Sequence, residues 1–225
     1  MLELWVVRHG QTDWNLEHRI QGWTDVPLNH VGQIQAKKLG RHLEGIPFVA
    51  LYTSDLERAH TTATILHQHT GVPIVVDRRL REKRFGTLEG KIQGLRSPLP
   101  YTGSAVAPRS SRPLPNANSQ HRVATHSPSF MGNSGDPEAE SDQSLKHRIG
   151  TFLADVTARS QGGRILVVTH GGLIRALLDL VGHPDREALA NTSVTRLREK
   201  AGLWHPVAVN QAEHLRSDYA FDSNG

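Results

Sequence analysis

Hydrophobic and polar positions change period several times along this chain, and each change marks an element. Leu2 to Val7 reads as a buried strand that stops abruptly at Arg8-His9-Gly10. After a polar stretch, Asn29 is placed to cap a helix whose apolar face is Val31, Ala36, Leu39 and Leu43. Pro47 marks a turn and Phe48 to Thr53 predicts a second strand. Ser54, with Glu57 three residues later, has the pattern of a capping box. The helix it opens would bury Leu56, Ala59, Ala63 and Leu66, and Gly71-Val72-Pro73 would end it. Ile74 to Val76 reads as a short third strand, followed by a charged loop over 77–90.

Periodicity then fails. Between 91 and 135 lie six of the twelve prolines and eight serines, with no apolar stripe. Such a stretch cannot bury enough surface to offset its ordering entropy, so a loose or disordered excursion is expected over about 91–139. Order resumes near Asp142, where Leu145, Ile149, Phe152, Leu153 and Val156 form a helical stripe. Gly162-Gly163 leads into a strand, Arg164 to Thr169, which ends at His170-Gly171-Gly172. A helix carrying Leu173, Ala176, Leu177 and Leu180 follows. Ser193 to Arg198 and Trp204 to Val209 flank Ala201-Gly202 as a hairpin. Strands alternating with helices of this length predict an α/β fold, a three-layer α/β/α sandwich with a mostly parallel sheet. Ligands of such sheets bind beyond the carboxyl ends of the strands.

Composition narrows the class. The 225 residues suit one domain, 1–225, interrupted by the atypical Ser/Pro-rich segment. No apolar run approaches the roughly 20 residues of a membrane span, and the N-terminus lacks a leader pattern. With no cysteine there is neither disulfide nor thiolate site, and a cytoplasmic protein is expected. The net charge of +4 would suit an anionic partner. The excess, however, sits in the loose stretch, which holds five basic residues (Lys91, Arg96, Arg109, Arg112, Arg122) and no acid. Neither nucleic acid nor membrane is therefore expected as a partner. His67 and His69, and His121 and His126, do not make a convincing metal site.

Two strands deliver a histidine to their carboxyl edge, each followed by glycine: Val6-Val7-Arg8-His9-Gly10 and Val168-Thr169-His170-Gly171-Gly172. Arg8-His9-Gly10-Gln11-Thr12, with Asn15 close behind, resembles the signature of the histidine phosphatase superfamily, the phosphoglycerate-mutase-like proteins. The resemblance extends through Ser54-Asp55-Leu56-Glu57-Arg58-Ala59, Leu80-Arg81-Glu82, Glu89-Gly90, Thr169-His170-Gly171-Gly172, Asn191-Thr192-Ser193 and His214-Leu215, in the family's order. It implies a phosphoglycerate-mutase-like fold and a phosphatase acting on a small phosphorylated metabolite without cofactor or metal. Within the family it looks like the broad-specificity or α-ribazole phosphatase branch.

By that resemblance His9 is the nucleophile that becomes phosphohistidine, which a neutral imidazole with one nitrogen held by a hydrogen bond could do. Arg8 and Arg58 would clamp the phosphoryl oxygens, a task suited to planar, bidentate, permanently charged groups. His170 would hold the transferring group, best as imidazolium. Glu82 is the expected proton donor and later base, with Glu89 its rival. Asn15, Gln21, Gly22 and Gly171 would complete the substrate pocket.

Residues 91 to about 135 depart from the family, which has pocket-closing helices there and then Gly-Glu-Ser; Glu140-Ser141, with Arg148 further on, is where family spacing returns. A variant lid and a local reading-frame slip both fit, and translation of the other frames separates them. The competing functions are a phosphoglycerate mutase and a phosphate-binding module without turnover. A homodimer stays open.

Overall fold

The computed structural model of the protein describes residues 1–93, 136–184 and 187–216. Its strands and helices run β1 (Leu2–Arg8), α1 (Asp13–Leu16), α2 (His30–Leu43), β2 (Ala50–Thr53), α3 (Glu57–Thr70), β3 (Ile74–Val76), α4 (Asp142–Arg159), β4 (Gly163–Thr169), α5 (Gly171–Leu180), β5 (Val194–Lys200) and β6 (Leu203–Gln211). Single 3₁₀ turns occupy Arg78–Leu80, Gly86–Leu88 and Glu213–Leu215.

The strands form one sheet in the order β3-β2-β4-β1-β5-β6. Four of them, β3, β2, β4 and β1, are mutually parallel; β5 runs antiparallel to β1 and turns back as β6. Side chains alternate across the sheet. Leu2, Leu4 and Val6 of β1, with Ile165 and Val167 of β4, pack under α4 and α5. Val7, Leu166 and Val168 face the opposite way, onto Leu39 and Leu43 of α2 and Ala59, Ala63 and Leu66 of α3. A strand covered on both faces has little polar side to show, which is why Leu4 to Val7 of β1 and Ile165 to Val168 of β4 are continuous apolar runs. The α/β sandwich stands as expected.

Helix starts were harder to read. Asn29 does cap α2, accepting from the Gly32 amide at 2.8 Å. Val31, placed on the apolar face, is 46% exposed, because the stripe begins one residue later at Gly32. Leu180 is likewise exposed at the end of α5. The capping box at Ser54 and Glu57 does not form. The cap of α3 is Leu56, which offers no side-chain bond, and the Glu57 amide donates to Asp25 Oδ1 at 2.7 Å. A capping box exists elsewhere: Thr12 and Asn15 close it around α1.

The segment expected to be loose over 91–139 is ordered at both ends. Ile92 bridges to Arg19, Ala139 bridges to Phe85, and the Asp136 carboxylate accepts from the Thr87 amide and hydroxyl, each at 2.7 Å. Residues 94–135, with His121 and His126, lie outside the described residues. At the far end, Ala201 and Gly202 both have positive φ (54° and 81°), the geometry of a two-residue hairpin turn. Among the described residues no helix is long and apolar enough to cross a membrane.

Candidate active site

Register places the two histidines. β1 and β4 are adjacent and parallel, with Arg8 opposite Thr169, so His9 and His170 leave the sheet side by side at the same edge. The His9 amide donates to Thr169 O at 2.9 Å, continuing the ladder past the strand end. The ring centroids lie 5.2 Å apart with the planes tilted by 58°.

His9 is 3% exposed. Its Nδ1 lies 2.7 Å from Gly10 O, and since a carbonyl only accepts, Nδ1 carries the proton and Nε2 keeps its lone pair. Burial first, then the positive charges of Arg58 and Arg8, hold the ring well below the ordinary imidazole value. The ring is therefore neutral at pH 7, the state a nitrogen nucleophile requires. Gly10 is demanded by packing: a Cβ there would stand 2.5 Å from Gly32 O of α2. Its amide donates to the Thr62 hydroxyl, which in turn donates to Arg58 O.

Arg58, in the first turn of α3, is fully buried. It donates to Gly22 O at 2.7 Å and to Thr24 O at 2.9 Å, and its Nε has no partner. Arg8 donates through Nη1 to Leu189 O and likewise leaves Nε unmatched and buried. Burial pushes both guanidinium groups down to about 10, against the opposing pull of Glu82, and they remain charged at neutral pH. His170 is fully buried, and neither of its ring nitrogens has a partner. Burial, and after it the charge of Arg58, lowers its pKa well below 6.5. The imidazolium expected for His170 is thus not the form of the unliganded site. The cause is burial, joined by the positive charges of Arg58, Arg148 and Arg8.

Orphaned buried atoms also occur at Gln21, Arg175, Ser193 and Arg196, so their presence alone marks nothing. What distinguishes His9, His170, Arg8 and Arg58 is their joint placement at the ends of β1, β4 and β2. Donors there lack acceptors, and each buried donor left unmatched costs roughly 1–3 kcal/mol. An anion would satisfy them.

Glu82 reaches the same edge from the loop after β3. Its Oε2 accepts from the Gly172 amide at 2.9 Å; its Oε1 accepts from Leu173 (3.0 Å) and Lys83 (2.9 Å). The carboxylate therefore caps α5, whose own cap residue, His170, makes no such bond. A Cβ on Gly172 would lie 2.4 Å from Glu82 Oε1, so the glycine makes the room. The rival, Glu89, is fully occupied: it accepts from the amides of Trp23, Phe85 and Thr24 and from the Thr24 hydroxyl. It braces the 21–24 loop.

The remaining pocket candidates divide. Gly171 sits beside Arg8, its Cβ direction ending 3.4 Å from Arg8 Nε. Gly22, at φ +55°, supplies a carbonyl to Arg58, and Gln21 is buried with Oε1 unmatched. Asn15 is turned inward: Oδ1 accepts from the Thr12 amide and from Asn191 Nδ2. Asn191 also donates to His9 O at 3.0 Å, and the amide of Thr192 donates to Arg8 O at 3.0 Å. Thr192 has φ +58° and its hydroxyl pairs with Nε2 of buried His214 at 3.0 Å. The residues 189–193 thus form a seat for Arg8 and His9. Only the order of motifs hinted at this, since no local pattern links positions nearly two hundred apart.

The sequence model of the histidine phosphatase superfamily (branch 1) matches residues 4–126 and 115–212. The chain belongs to that superfamily. Proteins named probable phosphoglycerate mutase GpmB are similar to it. That of Citrobacter koseri is 33% identical over 209 residues, covering 91% of this chain and 88% of the relative. Among solved structures, YhfR of Bacillus stearothermophilus superposes with a TM-score of 0.74 at 26% identity, covering 96% of this chain and all of the other. A mutant phosphoserine phosphatase of Entamoeba histolytica in complex with phosphoserine gives 0.73 at 25%, with the same coverage. The phosphoglycerate mutase of Bacillus anthracis gives 0.74 at 26%, covering 96% and 95%. Histidine phosphatase folds of both phosphatases and mutases thus surround this chain.

Proposed function

We propose that the protein is a phosphatase that hydrolyses small phosphate monoesters through a phosphohistidine on His9, with no metal or cofactor in the reaction. The observation that carries this reading is the pairing of His9 Nδ1 with Gly10 O, which leaves the Nε2 lone pair of a neutral, buried ring beside the unmatched donors of Arg8, Arg58 and His170. A phosphoryl group bound there accepts from the two Nε–H groups. Its negative charge opposes the field that keeps His170 neutral, so the second imidazole gains a proton as the anion arrives.

In the first step His9 Nε2 forms a bond to phosphorus while the ester O–P bond breaks, and the leaving oxygen takes a proton from Glu82. In the second, Glu82 takes a proton from water, the water oxygen attacks phosphorus, and the N–P bond breaks to restore His9 and release phosphate. Oε2 suits that exchange better than Oε1, because Oε1 accepts from two amides whereas Oε2 accepts from Gly172 alone and keeps a lone pair open.

The broad-specificity or α-ribazole branch is the finer reading, and phosphoglycerate mutase is the competing one, favoured by the names of the GpmB relatives. A panel of phosphorylated metabolites with p-nitrophenyl phosphate, run beside conversion of 3- to 2-phosphoglycerate, decides between them. Release of inorganic phosphate without isomerisation, lost in His9→Ala and unaffected by chelators, is expected. Isomerisation exceeding hydrolysis would overturn the hydrolase assignment.

A further inference from the structure

Every donor of Arg148 is used. On α4, Nε donates to Glu140 Oε1 at 2.8 Å, Nη2 donates to Glu140 Oε2 and Glu82 O, each at 2.9 Å, and Nη1 donates to Arg79 O and Arg81 O, the latter at 2.7 Å. A guanidinium has five N–H groups, and here all five meet an acceptor. Arg8 and Arg58 each hold a donor unmatched; Arg148 holds none. It is therefore spent within the protein rather than kept for a ligand, and three of its bonds end on the carbonyls of the segment that carries Glu82.

The segment's other anchors act mainly on its side chains: Arg79 pairs with Asp77 and Asp155, Arg81 forks onto Asp55, and Leu80 is buried in the core. The Glu82 carbonyl also accepts from Trp23 Nε1 at 2.8 Å, and Leu80 O accepts from the Thr169 hydroxyl at 2.7 Å. Glu140 and Arg148 side chains are 10% and 14% exposed, so the pair is little screened, and its fork geometry fixes the guanidinium plane. Among these contacts the guanidinium alone binds three main-chain carbonyls of the segment at once, so it bears directly on whether the Glu82 carboxylate meets the amides of Gly172 and Leu173.

We infer that Arg148, held in plane by Glu140, is the positioning residue for the Glu82 carboxylate in leaving-group protonation. This rests on Glu82 being the acid of the phosphatase reading. An ammonium cannot replace the fork, because it carries three donors on a point and cannot span three carbonyls and a carboxylate.

Leaving-group dependence tests it. Transfer from 2,4-dinitrophenyl phosphate needs no proton on departure, whereas an alkyl phosphate such as β-glycerol phosphate does. A displaced Glu82 therefore lowers kcat/KM for the second and spares the first. In Arg148→Met, kcat/KM for the alkyl ester should fall by about 10²-fold, within the range of general acid catalysis. The dinitrophenyl ester should change by less than about threefold. Arg148→Lys, which keeps the charge without the fork, should behave like Arg148→Met, and Glu140→Gln should show a smaller loss of the same kind. Equal losses on both esters in the soluble variants would overturn the positioning role, as would full activity of Arg148→Lys. Glu82→Gln is the control. If it lacks leaving-group dependence, the assignment of the acid fails; if it shows it and the Arg148 variants do not, only the positioning role fails.

Discussion

The rings of His9 and His170 lie 5.2 Å apart, although 161 positions separate them in the chain (170 minus 9), because β1 and β4 are paired in parallel with Arg8 opposite Thr169. A neutral ring with a free Nε2 stands beside a ring with both nitrogens unmatched. One is fit to attack and the other to hold.

Removing the attacking ring should end covalent chemistry. Enzyme quenched in alkali during turnover should carry an acid-labile, alkali-stable phosphoryl group on His9, absent in His9→Ala. His170→Ala should still label, but about 10²- to 10³-fold more slowly, the cost typical of losing one donor to a transition-state anion. Labelling of His9→Ala at the native rate would place the nucleophile elsewhere.

Both rings should stay neutral far into acid in the unliganded protein. Burial and the neighbouring guanidinium groups lower both pKa values, so imidazole NMR signals of His9 and His170 should show no inflection near 6.5. Saturating phosphate should bring the His170 inflection upward. An unliganded His9 titrating at its ordinary value would contradict the desolvated site.

The same depression fixes the sign of the pH dependence of stability. His214 is held down to about 4, chiefly by burial, whereas an unfolded histidine takes a proton near 6.5. The unfolded chain then binds more protons between those values, so this contribution is complete above about 6.5 and is lost as pH falls toward 4. The thermal midpoint should drop between pH 7 and 5, and less steeply in His214→Asn. A midpoint that rises on acidification would refute this sign.

Unmatched donors should respond to simple anions. Inorganic phosphate or vanadate at a hundred times its dissociation constant should stabilise the fold by about 2.7 kcal/mol. That corresponds to roughly 5–10 °C in the melting midpoint of a domain this size. Arg58→Met should abolish the shift and lower kcat/KM by about 10²- to 10⁴-fold. An unchanged shift in that variant would remove Arg58 from the anion site.

Two glycines should fail differently. Gly10→Ala drives a methyl toward the Gly32 carbonyl, backbone that cannot yield, and should cost about 1–3 kcal/mol of stability. Gly172→Ala meets the end of the Glu82 side chain, so it should leave the midpoint nearly unchanged while reducing alkyl phosphate hydrolysis. Reversed outcomes would mean that the carboxylate does not sit on the α5 amides.

The sheet was legible because apolar runs buried on both faces leave a strong signal, and the histidines could be placed at its edge from the two strand ends alone. The start of α3 was misread because Ser54 and Glu57 fit a local rule, while the actual partner of the Glu57 amide is Asp25, 32 residues earlier. The box at Thr12 was hidden because Asn15 fills the position usually taken by Glu or Gln. Arg148 was visible only as spacing, since nothing along α4 announces that its guanidinium ends on carbonyls of another segment. Local periodicity encodes which face is buried; it does not encode which distant carbonyl a donor will meet.

Because α5 begins on a carboxylate lent by another segment, its first turn is a reporter of the site. Whenever the loop bearing Glu82 lifts away, the amides of Gly172 and Leu173 lose their acceptors and open to solvent deuterium. Exchange at those two protons would therefore time how often the acid is in place, in a protein with no substrate present.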